Sequence, residues 1–290
     1  MTEAAALPQP LAAWVESVVG AVRAVRDASH ARADSAVWEV AGRSGRYFVK
    51  VAPRPISYTR ETRAYREAVP RLGRGNAPVL KESSAELYAM ILTAVDGDPL
   101  KSETLPSRRR TAHEQAGRLL RRLHDVYPTI RAQAEAAHAV EATVAGLDKH
   151  LGAARDHLSA AEAQLLRRLV DTLPALGPLP AGFLHGDFWE RNLLWNGHFC
   201  VLIDFERSAP GPVVADFVKL ATSVWPGHPE LRAALLAGYG RPLSDVEERA
   251  LVAFSAADAA SALAYGPRHG DAFVTERGRR TVERLMREVG

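Results

Sequence analysis

The chain has 290 residues, is 47% hydrophobic and 24% charged, and carries a net charge of +3 with a pI near 9.1. That length and apolar content suit a globular protein of one large or two small domains, and so small a net charge gives no general affinity for nucleic acid. A single cysteine, Cys200, excludes an intramolecular disulfide and a cysteine-based zinc site.

Glu3, Pro8 and Pro10 stand at the start without a basic segment ahead of an apolar core, so no secretory signal is read there. No run of about twenty apolar residues exists, so no membrane partner is expected and the expected compartment is the cytoplasm. Leu11, Val15, Val18, Val19 and Val22 recur at helical spacing and predict a helix from Leu11 to Val25. Val37–Val40 and Arg46–Val51 flank the turn Gly42–Gly45 and predict a hairpin. Within it Phe48 and Lys50 share a face.

Thr59–Leu72 reads as a helix, with Ser57 or Thr59 as its cap and Glu61 in its first turn, where a carboxylate complements the helix dipole. Leu87–Thr93 is an apolar strand that runs into the turn-rich Ala94–Pro99. Ser107–His124 is a helix with Ala112, Ala116, Leu119, Leu120 and Leu123 on one stripe. Its Arg108–Arg110 run reads as a solvated face, and His124, near its end, as a structural histidine. Arg131–Leu173 is Ala-rich and helical, and Pro174, Gly177, Pro178 and Pro180 break it.

The chain is organised around Phe183–Arg207, FLHGDFWERNLLWNGHFCVLIDFER. Apolar Phe183-Leu184 leads into His185-Gly186-Asp187. Asn192 follows, then Leu193-Leu194-Trp195. Asn196-Gly197 is a hairpin turn signal. A strand Phe199–Ile203, with Cys200 as a buried thiol, ends in Asp204-Phe205-Glu206. A hairpin centred on Asn196-Gly197 brings Asn192 and Asp204 together, and an amide oxygen beside a carboxylate suits magnesium rather than zinc. Read singly, each of these residues is more simply a turn former or a helix cap; the ordered pair of strand-loop units points to chemistry. Beyond it, Asp216 opens a helix. Leu231–Tyr239, Ser244–Tyr265 and Asp271–Val289 read as three more, with Asp258 and Asp271 more simply surface or capping residues than part of an acceptor pocket.

His185-Gly186-Asp187 with Asn192 gives HGDxxxxN, and Asp204-Phe205-Glu206 stands where protein kinases carry Asp-Phe-Gly. In both respects the chain resembles the kinase-like phosphotransferases, nearest the aminoglycoside phosphotransferase and choline kinase group. Protein kinases carry Arg at the position of Gly186, which favours a small-molecule kinase.

The resemblance implies an α+β, two-lobed protein-kinase-like fold, with a small antiparallel-sheet lobe over residues 1–95, a larger mainly helical lobe over 96–290, and ATP between them. It implies transfer of the γ-phosphoryl group of ATP, or alternatively GTP, to a hydroxyl of a small molecule. An antibiotic acceptor leads: an aminoglycoside, or a nucleoside or peptide type. A metabolic acceptor such as choline or an amino sugar, or a non-catalytic nucleotide-binding module, is the alternative. Asp187 would orient the acceptor hydroxyl. Asn192 and Asp204 would hold Mg²⁺. Lys50 would hold the phosphates, aligned by Glu61 in preference to Glu67. Ser35 would reach a phosphate from the loop Ala33–Ala36, which lacks the glycine-rich kinase pattern. The Thr93 carbonyl and Val95 amide would meet the base, and Asp216 would cap its helix or tie down the catalytic loop. A Walker-type phosphate loop is absent. A monomer or homodimer without nucleic-acid partners is expected.

Overall fold

Helix α1 (Gln9–Val19) buries Leu11, Val15 and Val19 along one stripe. It stops at Gly20, whose φ of 76° continues no helix and whose amide closes on the Glu16 carbonyl at 3.0 Å. The helix expected to reach Val25 therefore ends earlier, and Ala24–Asp27 forms strand β1 instead. Val22 and Val25 fit helical spacing because both pack on the apolar cluster beneath α1, but they do so from the sheet side of the break. The computed structural model describes residues 6–29, 36–127 and 129–289.

Strands β2 (Ala36–Gly42) and β3 (Gly45–Val51) form the expected hairpin, closing at the pair Gly42↔Gly45. Helix α2 (Pro55–Arg63) continues through a π-helical turn, Ala64–Ala68, into α3 (Val69–Leu72). β4 (Leu80–Ser84) and β5 (Ala89–Thr93) complete a five-stranded antiparallel sheet of order β1-β2-β3-β5-β4. Val40, Tyr47, Val49, Ala89 and Ile91 meet Leu11, Val15 and Val19 of α1 in one buried cluster. Each of the buried Val, Leu and Ile side chains contributes about 1.5–3 kcal/mol on burial. A short strand, β6 (Asp98–Pro99), follows.

Next come α4 (Pro106–His124), α5 (Thr129–Ala153), α6 (Ala160–Val170) and β7 (Ala181–Leu184). Ser159 and Glu162 form a capping box at the start of α6. The 3₁₀ turn Glu190–Asn192 leads to the hairpin β8 (Leu193–Trp195) and β9 (Cys200–Leu202), with β6 on the outer side of β8. β10 (Ala209–Pro212) pairs with β7. Helices α7 (Val218–Ser223), α8 (Pro229–Tyr239), α9 (Asp245–Tyr265) and α10 (Ala272–Glu288) end the chain. Ser244, again in a capping box, starts α9, and Asp271 caps α10 through the Val274 amide.

Two units result: Met1–Glu103 with Arg191–Ala209, and Thr104–Glu190 with Pro210–Gly290. The first is the sheet with its helices and the β6-β8-β9 ladder; the second is mainly helical. This is the α+β architecture expected, an antiparallel-sheet N-terminal part and a helical C-terminal part. In the second unit α4 and α8 approach backbone to backbone. A Cβ on Gly117 would strike the Leu235 carbonyl, and one on Gly238 the Glu114 carbonyl. Among the described residues no helix is long and apolar enough to cross a membrane.

Candidate active site

β3 carries Lys50 opposite Val37 on one side and Met90 on the other, and leaves it buried. Its ammonium lies 3.0 Å from Glu61 Oε1, 2.9 Å from Glu61 Oε2, 2.7 Å from Asp204 Oδ1 and 3.6 Å from Glu206 Oε2. Burial alone would lower the Lys50 pKa, but Glu61, Asp204 and Glu206 outweigh it and hold the pKa well above the ordinary value. Burial pushes Glu61 up to about 7 against the pull of Lys50, and the Asp204 and Glu206 carboxylates add to the rise.

Glu61 does not sit in a first turn. Its helix starts at Pro55, with proline pre-set for the position and no side-chain cap from Ser57 or Thr59. The Thr59 hydroxyl bonds the Pro55 carbonyl instead. This earlier start puts Glu61 in the last turn of α2, buried within the helical run that continues to Leu72 and away from the helix N-terminus, and it meets Lys50 there. Glu67 falls in the π-helical turn beyond.

The β8–β9 hairpin supplies the remaining carboxylates of this cluster. Asn196 Oδ1 accepts from the His198 amide at 3.0 Å and the Phe199 amide at 2.7 Å, which shapes the turn. Pairing runs Leu193↔Leu202, Leu194↔Val201 and Trp195↔Cys200. One step further, Ile203 donates its amide to the Asn192 carbonyl at 3.0 Å, so Asn192 and Asp204 leave adjacent strand ends. Asp204 has a φ of 68°, a left-handed conformation that costs a non-glycine residue roughly 1–3 kcal/mol. Carboxylate oxygens of Glu61, Asp204 and Glu206 lie within 4.8 Å of one another. Oxygen donors of this kind fit a hard cation such as Mg²⁺, and an Asn192 side chain leaving the neighbouring strand end is of the same donor class. Phe205 between the two carboxylates is buried edge-on against Tyr65, ring centroids 5.3 Å apart.

At the end of β5 the Thr93 amide donates to the Val79 carbonyl, and its hydroxyl accepts from the Val79 amide, both at 2.9 Å. Val95 lies just beyond that strand. Ser35, with Ala33 and Asp34, lies outside the described residues.

Asp187 belongs to the second unit. It is buried, and its amide donates to His185 Nδ1 at 3.3 Å. Asp216 anchors the loop before it. One Asp216 oxygen accepts from the His185 amide at 2.7 Å, the other from the Gly186 amide at 2.8 Å. His124 Nε2 meets the same carboxylate at 3.1 Å, and its Nδ1 meets the Tyr239 hydroxyl at 2.9 Å. His124 is thus a buried structural histidine, and burial pushes the Tyr239 phenol up to about 12.

Further along the loop, Glu190 is buried and meets Arg109 and His113 of α4. Arg109, expected on a solvated face, is engaged inward; Arg108 and Arg110 are exposed. Trp189 packs against Phe273, ring centroids 5.7 Å apart. Asp258 is locked by Lys219, 2.6 Å away, and by Arg277.

One cluster therefore unites Lys50, Glu61 and Asp204, with Asn192 a rung away, while Asp187 stands in its own network. The sequence alone assigns no site role to Glu206, Glu190, His113 or Arg109. The available signals were the place of Glu206 two residues after Asp204 and the four-residue spacing of Arg109 and His113, which puts both on one helix face.

A family model described as the phosphotransferase enzyme family matches residues 28–254. No curated relative matches the chain by sequence. Solved structures resemble it in fold. A choline/ethanolamine kinase family protein from Mesorhizobium loti is 19% identical, with a TM-score of 0.68 over 96% of this chain and 92% of that one. A spectinomycin phosphotransferase, solved with ADP and spectinomycin, is 16% identical, with a TM-score of 0.64 over 96% and 94%. A macrolide 2'-phosphotransferase from Brachybacterium faecium is 16% identical, with a TM-score of 0.64 over 95% and 98%.

Proposed function

The chain belongs to the phosphotransferase enzyme family, and from that premise we propose that it transfers the γ-phosphoryl group of ATP to a hydroxyl of a small molecule, foremost an antibiotic, and so confers resistance. The observation that carries this is the buried Lys50 ammonium bracketed by Glu61 and Asp204. Lys50 compensates the carboxylates, and with nucleotide present it would turn to phosphate oxygens in place of Asp204 and Glu206 while Glu61 keeps it aimed. Asn192, Asp204 and Glu206 are the residues that would hold Mg²⁺. Bound there, the cation would neutralise charge on the phosphates.

Asp187 accepts a hydrogen bond from the acceptor hydroxyl and points it in line with the phosphorus. Positioning of this kind, together with charge stabilisation, supplies most of the catalysis of phosphoryl transfer, whose transition state is loose. The Thr93 carbonyl and Val95 amide bind the base, and Ser35 a phosphate. The protein acts in the cytoplasm, as a monomer or homodimer.

A metabolic alcohol such as choline or an amino sugar is the second reading. The likeness to a choline/ethanolamine kinase family protein favours it, while a pI near 9.1 bears on the first reading, where it keeps a nucleoside or other less cationic antibiotic open beside an aminoglycoside.

Purified protein with Mg²⁺ and ATP, or GTP, is assayed against aminoglycosides, nucleoside and peptide antibiotics, macrolides, choline and amino sugars, with product mass read alongside. One acceptor gaining a phosphoryl group is the expected result. No transfer and no nucleotide binding would overturn the reading.

A further inference from the structure

The loop that carries Asp187 is fixed at two points within the helical unit. Its first residues hang from Asp216, which accepts from the His185 and Gly186 amides. Its middle is held by a side chain. Glu190, three residues after Asp187, is buried and reaches α4. There the Arg109 Nε donates to Glu190 Oε1 at 2.8 Å, Arg109 Nη2 lies 2.7 Å from the same oxygen, and His113 Nε2 lies 3.0 Å from it. His113 is fully buried. Arg109 Nη1 is in turn 3.4 Å from His228 Nε2, and His228 Nδ1 is 3.0 Å from Glu230 Oε1 at the start of α8. Burial works against ionisation of Glu190, yet His113 and Arg109 hold its pKa below the usual carboxylate value.

A buried ion pair is seldom the cheapest way to stabilise a fold, because apolar residues of the same volume often do as well or better. What a gripped carboxylate does supply is direction: two donors on one helix face fix one oxygen, and with it the backbone three residues from Asp187. We infer that Glu190 is a positioning residue, whose clamp to Arg109 and His113 sets where the loop presents Asp187. This rests on the proposed phosphotransfer for its kinetic readout but not for its structural one.

The test compares wild type with Glu190→Ala, Glu190→Gln and Arg109→Gln as full chains. Each is followed by turnover on whichever acceptor the panel assay yields and by hydrogen exchange of the His185–Asn192 segment. Misplacing a reacting group by about 1 Å can cost about 100-fold in rate, so Glu190→Ala should lose about 10–100-fold in kcat with both KM values within about two-fold. Glu190→Gln, which still accepts from both donors, should recover most of that rate. Exchange in the segment should rise in Glu190→Ala and stay near wild type in Glu190→Gln. A folded Glu190→Ala with wild-type kcat and wild-type exchange overturns the inference, and so does a Glu190→Gln as slow as the alanine variant. If Glu190→Ala does not fold, Arg109→Gln decides in its place: a lower kcat with faster exchange supports the clamp, and no change in either overturns it. If wild type neither transfers phosphate nor binds nucleotide, the proposed function has failed; in that case, and wherever no acceptor is found, exchange alone judges the clamp.

Discussion

The Lys50 ammonium lies 2.7 Å from Asp204 Oδ1, joining β3 to the end of the β8–β9 hairpin across 154 positions of sequence. Glu61, on α2, shares the same ammonium. Three elements of the sheet unit thus depend on one cation.

Replacing Lys50 with Met should leave Glu61 buried without its charge partner. Losing one member of a buried pair costs about 3–5 kcal/mol, so the urea midpoint should drop clearly, and nucleotide affinity should fall with it. A midpoint equal to wild type would contradict the arrangement.

Asp204→Ala should act on Mg-nucleotide use. Removing one well-placed charge-stabilising group typically costs about 10²–10³ in turnover. A titration of activity against Mg²⁺ checks it: the variant should need more metal and reach a lower plateau, and an unaltered metal dependence would count against the role.

Asp187→Asn keeps the shape of the side chain and removes its basicity. Transfer should fall by about 10²–10⁴-fold. The thermal shift produced by nucleotide should be retained, which separates loss of chemistry from loss of binding.

Asp258 sets an acid limit on the helical unit. Burial raises its pKa, but Lys219 and Arg277 outweigh burial and hold it below the ordinary 3.8. A carboxylate with a depressed folded pKa stabilises above its unfolded value, and that contribution is lost as pH falls through the folded one. Stability should therefore decline below pH 3.8. In Asp258→Asn the decline should be shallower and the starting stability lower by about 3–5 kcal/mol, because Arg277 is left buried. Thermal melts from pH 2 to 7 measure both.

Gly238→Ala should destabilise without touching the site. The added methyl meets the Glu114 carbonyl of α4 with no flexible group to give way. Overpacking costs typically about 1–3 kcal/mol, and a backbone obstacle puts this case at the upper end. Circular-dichroism melts read the loss, while KM values should stay at wild-type levels.

Much of this molecule was legible because its turns and caps are local. The β2–β3 hairpin, the Asn196 turn and the Ser244 and Asp271 helix starts follow from residues within a few positions of one another. Asn192 and Asp204 could be paired on paper because the short hairpin between them fixes the register. Glu61 is legible by type, but its place in the helix is not, because Pro55, and neither Ser57 nor Thr59, begins α2. Val22 and Val25 fit two periodicities at once, and only the break at Gly20 decides between them. The Glu190 clamp was invisible for a different reason: Arg109 and Glu190 are 81 positions apart, and an arginine among arginines gives no sign of which one turns inward. Grouping of Arg191–Ala209 with the sheet is likewise a tertiary fact that no local pattern states.

Cys200 sits in β9 opposite Trp195, almost without exposure, and burial pushes its thiol up to about 12. Thiolate is the reactive form, so the folded hairpin shields this sulfur both sterically and chemically. The protein consequently carries its own stopwatch. The rate at which a thiol reagent labels Cys200 reports how often β9, the strand that leads into Asp204, opens, in unmodified protein and with no second cysteine to confuse the signal. Slower labelling with Mg-nucleotide present would record, in seconds rather than in bound counts, how firmly a ligand latches that strand.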